Sequence, residues 1–185
     1  EKLQGAAEIA VGDYRVDVAF PGGVVEIQHA SLASIRKKTS ELLEDHHVVI
    51  VKPLIFRRKL IKYAKKDGAV VGSRFSPKRG CWLDVFEDLI YLRDVFPHDR
   101  LTIELPAVEI EEHRYPKKKP RFRKANYHIS DQVLTRLIET RVLESRADIV
   151  KLLPTPLPEE FDTGDLSDLW GVSRWLCQRI TYPAF

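Results

Sequence analysis

Asp17 sits inside the run Tyr14-Arg-Val-Asp-Val-Ala-Phe20, and Glu26 sits inside Val24-Val-Glu-Ile-Gln-His29. A carboxylate within a valine-rich run needs a reason, because burying charge is costly unless the charge is paired or bound to metal. Period-2 alternation puts Asp17 on a face with Arg15 and Ala19, and Glu26 on a face with Gln28. Acids on neighbouring strands that share a face make a cage of hard oxygens. Such a cage suits Mg²⁺ or Mn²⁺, which prefers carboxylate and carbonyl ligands and keeps several waters. The expected ligands are Asp17, Glu26 and the carbonyl of Ile27, with Glu8 close by. An ion held there would activate a water for attack on a phosphodiester and stabilise charge developing on the phosphorus oxygens. Gln28 is placed to hold the attacking water or a phosphate oxygen. The alternative is a set of ordinary solvent-facing acids on an exposed sheet.

Turn residues decide whether these groups can meet. Gly12-Asp13 reads as a two-residue turn that pairs Val11 with Tyr14 and, counting back, Glu8 with Asp17. If Pro21-Gly22 is also a two-residue loop, Asp17 lies opposite Glu26, with Cβ atoms about 5 Å apart. A three-residue loop with a bulge would shift that pairing, and the sequence leaves both open. Like charges so close destabilise a sheet unless something positive lies between them. Beyond the second run, Ser31 can cap a helix reaching about Glu44, with Leu32, Ile35, Leu42 and Leu43 as its buried stripe. His47–Val51 then reads as a strand covered on both faces.

Asp17, then Glu26-Ile27-Gln28 after a short turn, then a helix and an apolar strand, resembles the core of the PD-(D/E)xK nuclease superfamily. The resemblance covers roughly residues 6–53. It implies a restriction-endonuclease-like α/β fold, a mixed central β-sheet flanked by helices, that cleaves nucleic acid with Mg²⁺. Carried over by position, Asp17 and Glu26 match the metal ligands, and Glu8 matches an acid seen upstream in resolvase-like members. Gln28 stands where the superfamily has lysine, as in a minority of members including the competence-protein CoiA group. A neutral amide cannot stabilise charge as an ammonium does, so either another cation substitutes or activity is lost. Arg36 and Lys38, on the following helix, are the candidates; their plain alternative is a solvated helix face.

Further along, a polar hairpin is expected from Lys59 to Ser76 around Lys66-Asp67-Gly68, a helix from Leu83 to Val95, and a strand from Leu101 to Glu111. Residues 114–124 carry seven basic side chains and no acid. Lys117, Lys118, Lys119, Arg121, Arg123 and Lys124, interleaved with Tyr115 and Phe122, suit a polyanion, since cations neutralise phosphates while rings stack on bases. A solvated linker is the alternative. Helices are then expected over 131–143 and 146–153, and a Pro-rich link at 154–158. Thr163 and Ser173 would cap two further helices on either side of Gly171. Leu166, Leu169, Val172, Leu176 and Ile180 would form their seam, with Trp170 and Trp175 also in the core. The pattern resembles a winged helix-turn-helix whose wing would lie past Phe185. Ser173, Arg174, Gln178 and Arg179 would point outward to phosphates and base edges. A helical module for protein contacts is the alternative.

Charged residues make up 31% and hydrophobic residues 44% of 185 residues, enough for a folded domain with a sizeable core. No apolar run approaches the roughly 20 residues that span a bilayer, and no signal peptide is visible. Cys81 and Cys177 lie far apart without metal spacing, as reduced thiols of a cytoplasmic protein would. The chain has no methionine, even at its start, and so reads as a fragment.

The expected architecture is a nuclease-like domain over 1–112, a basic linker over 113–126 and a winged-helix-type DNA-binding domain over 127–185. The expected function is a Mg²⁺-dependent DNA endonuclease of repair, recombination or defence. It would act near the nucleoid on double-stranded or branched DNA, with a second copy of the chain as a further partner. Its rivals are a nuclease fold that has lost catalysis and binds DNA, and an RNA-processing nuclease.

Overall fold

The computed structural model describes residues 6–117 and 126–184. Its strands are β1 (Ala6–Val11), β2 (Tyr14–Phe20), β3 (Gly23–Ile27), β4 (His47–Val51), β5 (Leu54–Tyr63), β6 (Val70–Phe75), β7 (Leu101–Pro116) and β8 (Tyr127–Leu143). Its α-helices are α1 (Arg36–Leu42), α2 (Phe86–Leu89), α3 (Arg146–Val150), α4 (Thr163–Trp170) and α5 (Arg174–Ala184). The chain divides into two compact units that interleave along the sequence. One comprises Glu1–Pro53, Trp82–Leu105 and Arg141–Phe185, and the other Leu54–Cys81 and Pro106–Thr140.

The first unit is mixed α/β. Strands β1, β2 and β3 are successive antiparallel hairpins, with Val11 opposite Tyr14 and Phe20 opposite Gly23. Both connections are two-residue loops, and Gly12 and Gly22 supply the positive φ, +56° and +84°, that such loops require. Strand β3 then pairs in parallel with β4, and β4 with the first residues of β7. A parallel pair needs a crossover. Here it is a 3-10 turn over Leu32–Ile35 followed by α1, and Ser31 caps the turn by accepting from the Ala33 N–H. Leu32, Val48, Ile50, Ile103 and Phe86 are wholly buried between sheet and helices. The helix expected over 83–95 is instead three short pieces, with 3-10 turns at Trp82–Val85 and Ile90–Leu92 flanking α2.

At the C-terminal end α3 is shorter than expected; α5 follows Ser173 as its cap predicts, but α4 is capped by Asp162 and not by Thr163, which is its first residue. Asp162 and Asp165 form a capping box on α4, and Gly171 ends it at φ +63°. Leu166, Leu176, Cys177 and Ile180 are buried, but Leu169 is exposed, and Trp175 is half exposed under the Arg179 guanidinium rather than in the core. No helix among the described residues is long and apolar enough to cross a membrane.

The second unit is a sheet. Strand β5 pairs in parallel with the later part of β7 and antiparallel with β6, and β8 pairs with β7. Two expectations are corrected here. Residues 131–143 lie in a strand, not a helix. Val133, Leu134, Leu137 and Ile138 have helical spacing, but the segment is rich in β-branched residues and meets the open edge of a 16-residue strand. Residues 113–116, expected to begin a linker, continue β7, and the Lys117 N–H donates to the Asn126 carbonyl.

Candidate active site

Strand β3 is where the sheet of the first unit changes from antiparallel to parallel pairing, and Glu26 and Gln28 lie at its carboxyl end. Ligands in open α/β sheets bind at such ends. The β2–β3 ladder runs from Phe20 opposite Gly23 to Val18 opposite Val25, one residue short of Asp17 and Glu26. At that step the ladder passes to a side chain, and the Ile27 N–H donates to Asp17 Oδ2 at 2.7 Å. An extended residue sends its N–H and C=O to the same side. The Ile27 carbonyl therefore also leaves β3 toward β2, although its side chain is exposed.

A positive charge lies beside Glu26, as the electrostatics demand. Lys38 reaches down from α1 until Nζ is 2.5 Å from Glu26 Oε1, and it also donates to the Arg15 carbonyl. Glu26 is only 6% exposed, so this is a shielded ion pair. Gln28 donates to Ser34 Oγ at 2.6 Å, and Ser34 donates in turn to the Ser31 carbonyl at 2.8 Å. The amide nitrogen of Gln28 is thereby committed, leaving its oxygen as the free acceptor among the described residues. On the edge of the site, the Tyr14 hydroxyl donates to Glu41 Oε2 at 2.7 Å, tying β2 to α1. That bond holds the phenol proton and raises the Tyr14 pKa.

Sequence reasoning missed Lys52 and Asp88. Lys52 follows the last residue of β4 and is 5% exposed. Its ammonium donates to the carbonyls of His29 (3.1 Å) and Ala30 (2.6 Å) and lies 2.8 Å from Asp88 Oδ2. Asp88 Oδ1 accepts from the Leu32 N–H at 3.1 Å. One buried ion pair thus fixes the loop between Gln28 and the 3-10 turn. The signal was a charged residue directly after an apolar run, which by itself is common.

Other expected site residues lie elsewhere. Glu8 adopts φ +56° and bonds the exposed Arg15, so it does not join Asp17. Arg36 pairs with Asp94 at 2.5 Å. Ser173, just before α5, and Arg174 and Gln178 on it are exposed, whereas the Arg179 guanidinium donates to the Glu87 carbonyl at 2.7 Å and packs on Trp175 and Tyr91. Lys117 is half-buried. Lys118, Lys119, Arg121, Arg123 and Lys124 lie outside the described residues. No group of three or more His, Cys, Asp or Glu side chains that could hold a metal occurs among the described residues. The site offers two carboxylates, a backbone carbonyl and an ammonium.

The family model described as "Domain of unknown function (DUF8091)" matches residues 1–144. An uncharacterized protein of Treponema pallidum (strain Nichols) is 28% identical over 152 residues, covering 82% of this chain and 60% of that protein. The chain therefore spans about 60% of this relative's length. No solved structure matches.

Proposed function

We propose that this chain, which belongs to the DUF8091 family, is a metal-dependent DNA endonuclease with a restriction-endonuclease-like core. The reading rests on one observation: Lys38 lies 2.5 Å from Glu26 at the end of β3, where the Ile27 N–H donates to Asp17. An acid pair and an ammonium at the carboxyl end of a switch-point strand are the groups that phosphodiester hydrolysis needs.

Two carboxylates and a carbonyl fit a hard divalent cation, because Mg²⁺ is commonly held by one or two protein carboxylates with water and substrate oxygens filling the other positions. Asp17, Glu26 and the Ile27 carbonyl would hold it. When bound, it would supply Lewis acidity and a water of lowered pKa. The chain's own residues do the rest. Lys38, freed from part of its contact with Glu26, offers an ammonium to the charge developing on phosphorus oxygens. Gln28, fixed by Ser34, turns its amide oxygen toward the attacking water and orients it. Lys52 and Asp88 hold the loop that keeps Gln28 and Ser34 in register. At the start of α5, the exposed Ser173, Arg174 and Gln178, in a winged-helix-type arrangement, are proposed as additional DNA contacts.

Supercoiled plasmid with the full chain tests this reading. Nicking or linearisation is expected with Mg²⁺ or Mn²⁺, and loss of cutting is expected in EDTA and in Glu26→Ala. Undiminished cutting in EDTA would refute it. A second reading is favoured by the ion pair itself, since a Glu26 neutralised by Lys38 also suits a fold that binds DNA without cutting. Plasmid bound but left intact with either metal would select that reading.

A further inference from the structure

Charge is sorted between the two units far more than the net value of +3 suggests. Residues 54–81 and 106–140, the second unit, carry 17 Lys+Arg against 6 Asp+Glu, a net of +11. The first unit carries the remaining 13 against 21, a net of −8. Nothing in the packing of the second unit requires this excess. Three of its six acids are matched, Glu109 by Arg57 at 3.7 Å, Glu111 by Lys59 at 2.8 Å, and the buried Glu112 by Arg58 at 3.4 Å, by Arg114 and by Gln132, and a fourth, the exposed Asp67, is the one acid of the β5–β6 hairpin. Lys59 also pulls the Glu111 carboxyl below its usual range.

Once those pairs are formed, Lys62, Lys65, Lys66, Arg74, Lys78 and Arg79 are exposed and have no acid within ion-pair distance among the described residues. All six lie on the β5–β6 hairpin or the loop that leaves it. Lys65 and Lys66 occupy its turn, and Lys62 and Arg74 flank it on the two paired strands. Six unneutralised cations on one ribbon repel one another unless a polyanion accompanies them.

We propose that the β5–β6 hairpin is a docking surface for the phosphate backbone of duplex DNA. The assignment of DNA rests on the nuclease reading of the first unit, while the polyanion chemistry stands on the hairpin alone. The hairpin from Leu54 to Phe75 contains neither Asn nor Gln, the side chains that read adenine edges. Its cations position DNA without selecting sequence, as phosphate contacts do. Its single exposed ring, Phe75, is covered by the Arg57 guanidinium at 4.3 Å and offers no stacking platform of the kind single strands need. A two-stranded ribbon is also a shape that the DNA major groove admits.

The test is a titration of a fluorescein-labelled 30-base-pair DNA duplex by the full chain in EDTA, where cutting is silenced, across a series of salt concentrations. The wild type is compared with Lys65→Ala/Lys66→Ala/Arg74→Ala/Arg79→Ala and with a control lacking two exposed cations of the first unit, Lys37→Ala/Arg146→Ala. The hairpin variant should bind at least tenfold more weakly near 0.1 M salt. Its log–log salt slope should flatten by roughly one unit per lost phosphate contact, while the control keeps the wild-type slope. Wild-type affinity and slope in the hairpin variant would overturn the proposal, as would tighter binding of a single strand or an RNA duplex of the same sequence. Failure of the nuclease reading shows instead as DNA bound normally in EDTA but never cut with Mg²⁺.

Discussion

The ammonium of Lys38 lies 2.5 Å from Oε1 of Glu26, with the two side chains only 16% and 8% exposed, so neither charge is solvated by bulk water. Removing one partner from such a pair strands the other, at a cost of several kcal/mol. Lys38→Ala should therefore lower unfolding stability by about 3 kcal/mol, read as a shift of the urea midpoint. Glu26→Gln/Lys38→Met, which removes both charges, should recover most of that loss. If the single and double variants are equally unstable, the contact is not an ion pair of this strength.

The same residue separates a catalytic from a structural role. Lys38→Arg keeps the charge, and under the nuclease reading it should retain part of the plasmid-cutting rate. Lys38→Ala should lose on the order of 10²-fold, as loss of one group stabilising the transition state does. The rate is measured at a temperature well below each variant's unfolding transition. Equal rates for Lys38→Ala and wild type would mean that the ammonium serves the fold alone.

Lys52 and Asp88 invite a different experiment, because their pair touches no proposed substrate. Lys52→Met leaves the carbonyls of His29 and Ala30 without their donor and Asp88 without its cation. Destabilisation of about 3 kcal/mol is expected, together with faster hydrogen exchange at the Leu32 amide, which Asp88 holds. Asp88→Asn keeps an acceptor for that amide and should slow its exchange relative to Lys52→Met. A Leu32 amide unmoved by either change would show that the loop is fixed by something else.

How far the sequence led can be seen residue by residue. The Gly12-Asp13 turn was legible because a two-residue hairpin loop needs positive φ, whereas the length of the Pro21-Gly22 loop was left open by the sequence and is fixed by the pairing of Phe20 with Gly23. Lys38 was legible as a cation on the crossover helix, and its ammonium meets Glu26. Arg36, two residues away, points to Asp94 instead, a choice made by helix rotation that composition does not encode. Glu8 was placed correctly in register, but its own positive φ turned it to Arg15. Lys52 and Asp88 are 36 residues apart and come together only through packing. Residues 131–143 misled because paired apolar positions at helical spacing also serve a strand that is exposed along both faces; tertiary pairing with β7 outweighed the local pattern.

Gly23 tests how tightly β3 is held. A Cβ built there would lie 2.4 Å from the Phe20 ring and 2.8 Å from the His47 carbonyl. The ring could move, but the carbonyl belongs to the first residue of β4, the strand that pairs with Gly23. Gly23→Ala should cost about 1–3 kcal/mol through overpacking, visible as a lowered melting temperature. Gly12→Ala meets open space and should lose only the smaller cost of an unfavourable φ. Equal losses at the two positions would mean that β3 and β4 can separate freely at that end.

Acid should weaken the start of α3 before most of the fold. Ser145 and Asp148 form a capping box there. The Asp148 carboxyl is held far below its ordinary range, first by the Lys151 ammonium at 2.7 Å, then by the Ser145 hydroxyl and the Glu144 N–H. Because the folded state binds this proton less readily than the unfolded chain does, the contribution is complete above an ordinary aspartate pKa near 4 and declines as pH falls below it. Ser145→Ala should cost about 1 kcal/mol at neutral pH. In urea titrations, the stability gap between wild type and Asp148→Asn should hold from pH 6 to about pH 5 and narrow from there down to pH 3. A gap that stays constant across that range would mean that the aspartate's hydrogen bonds survive in the unfolded chain or never formed in the native one.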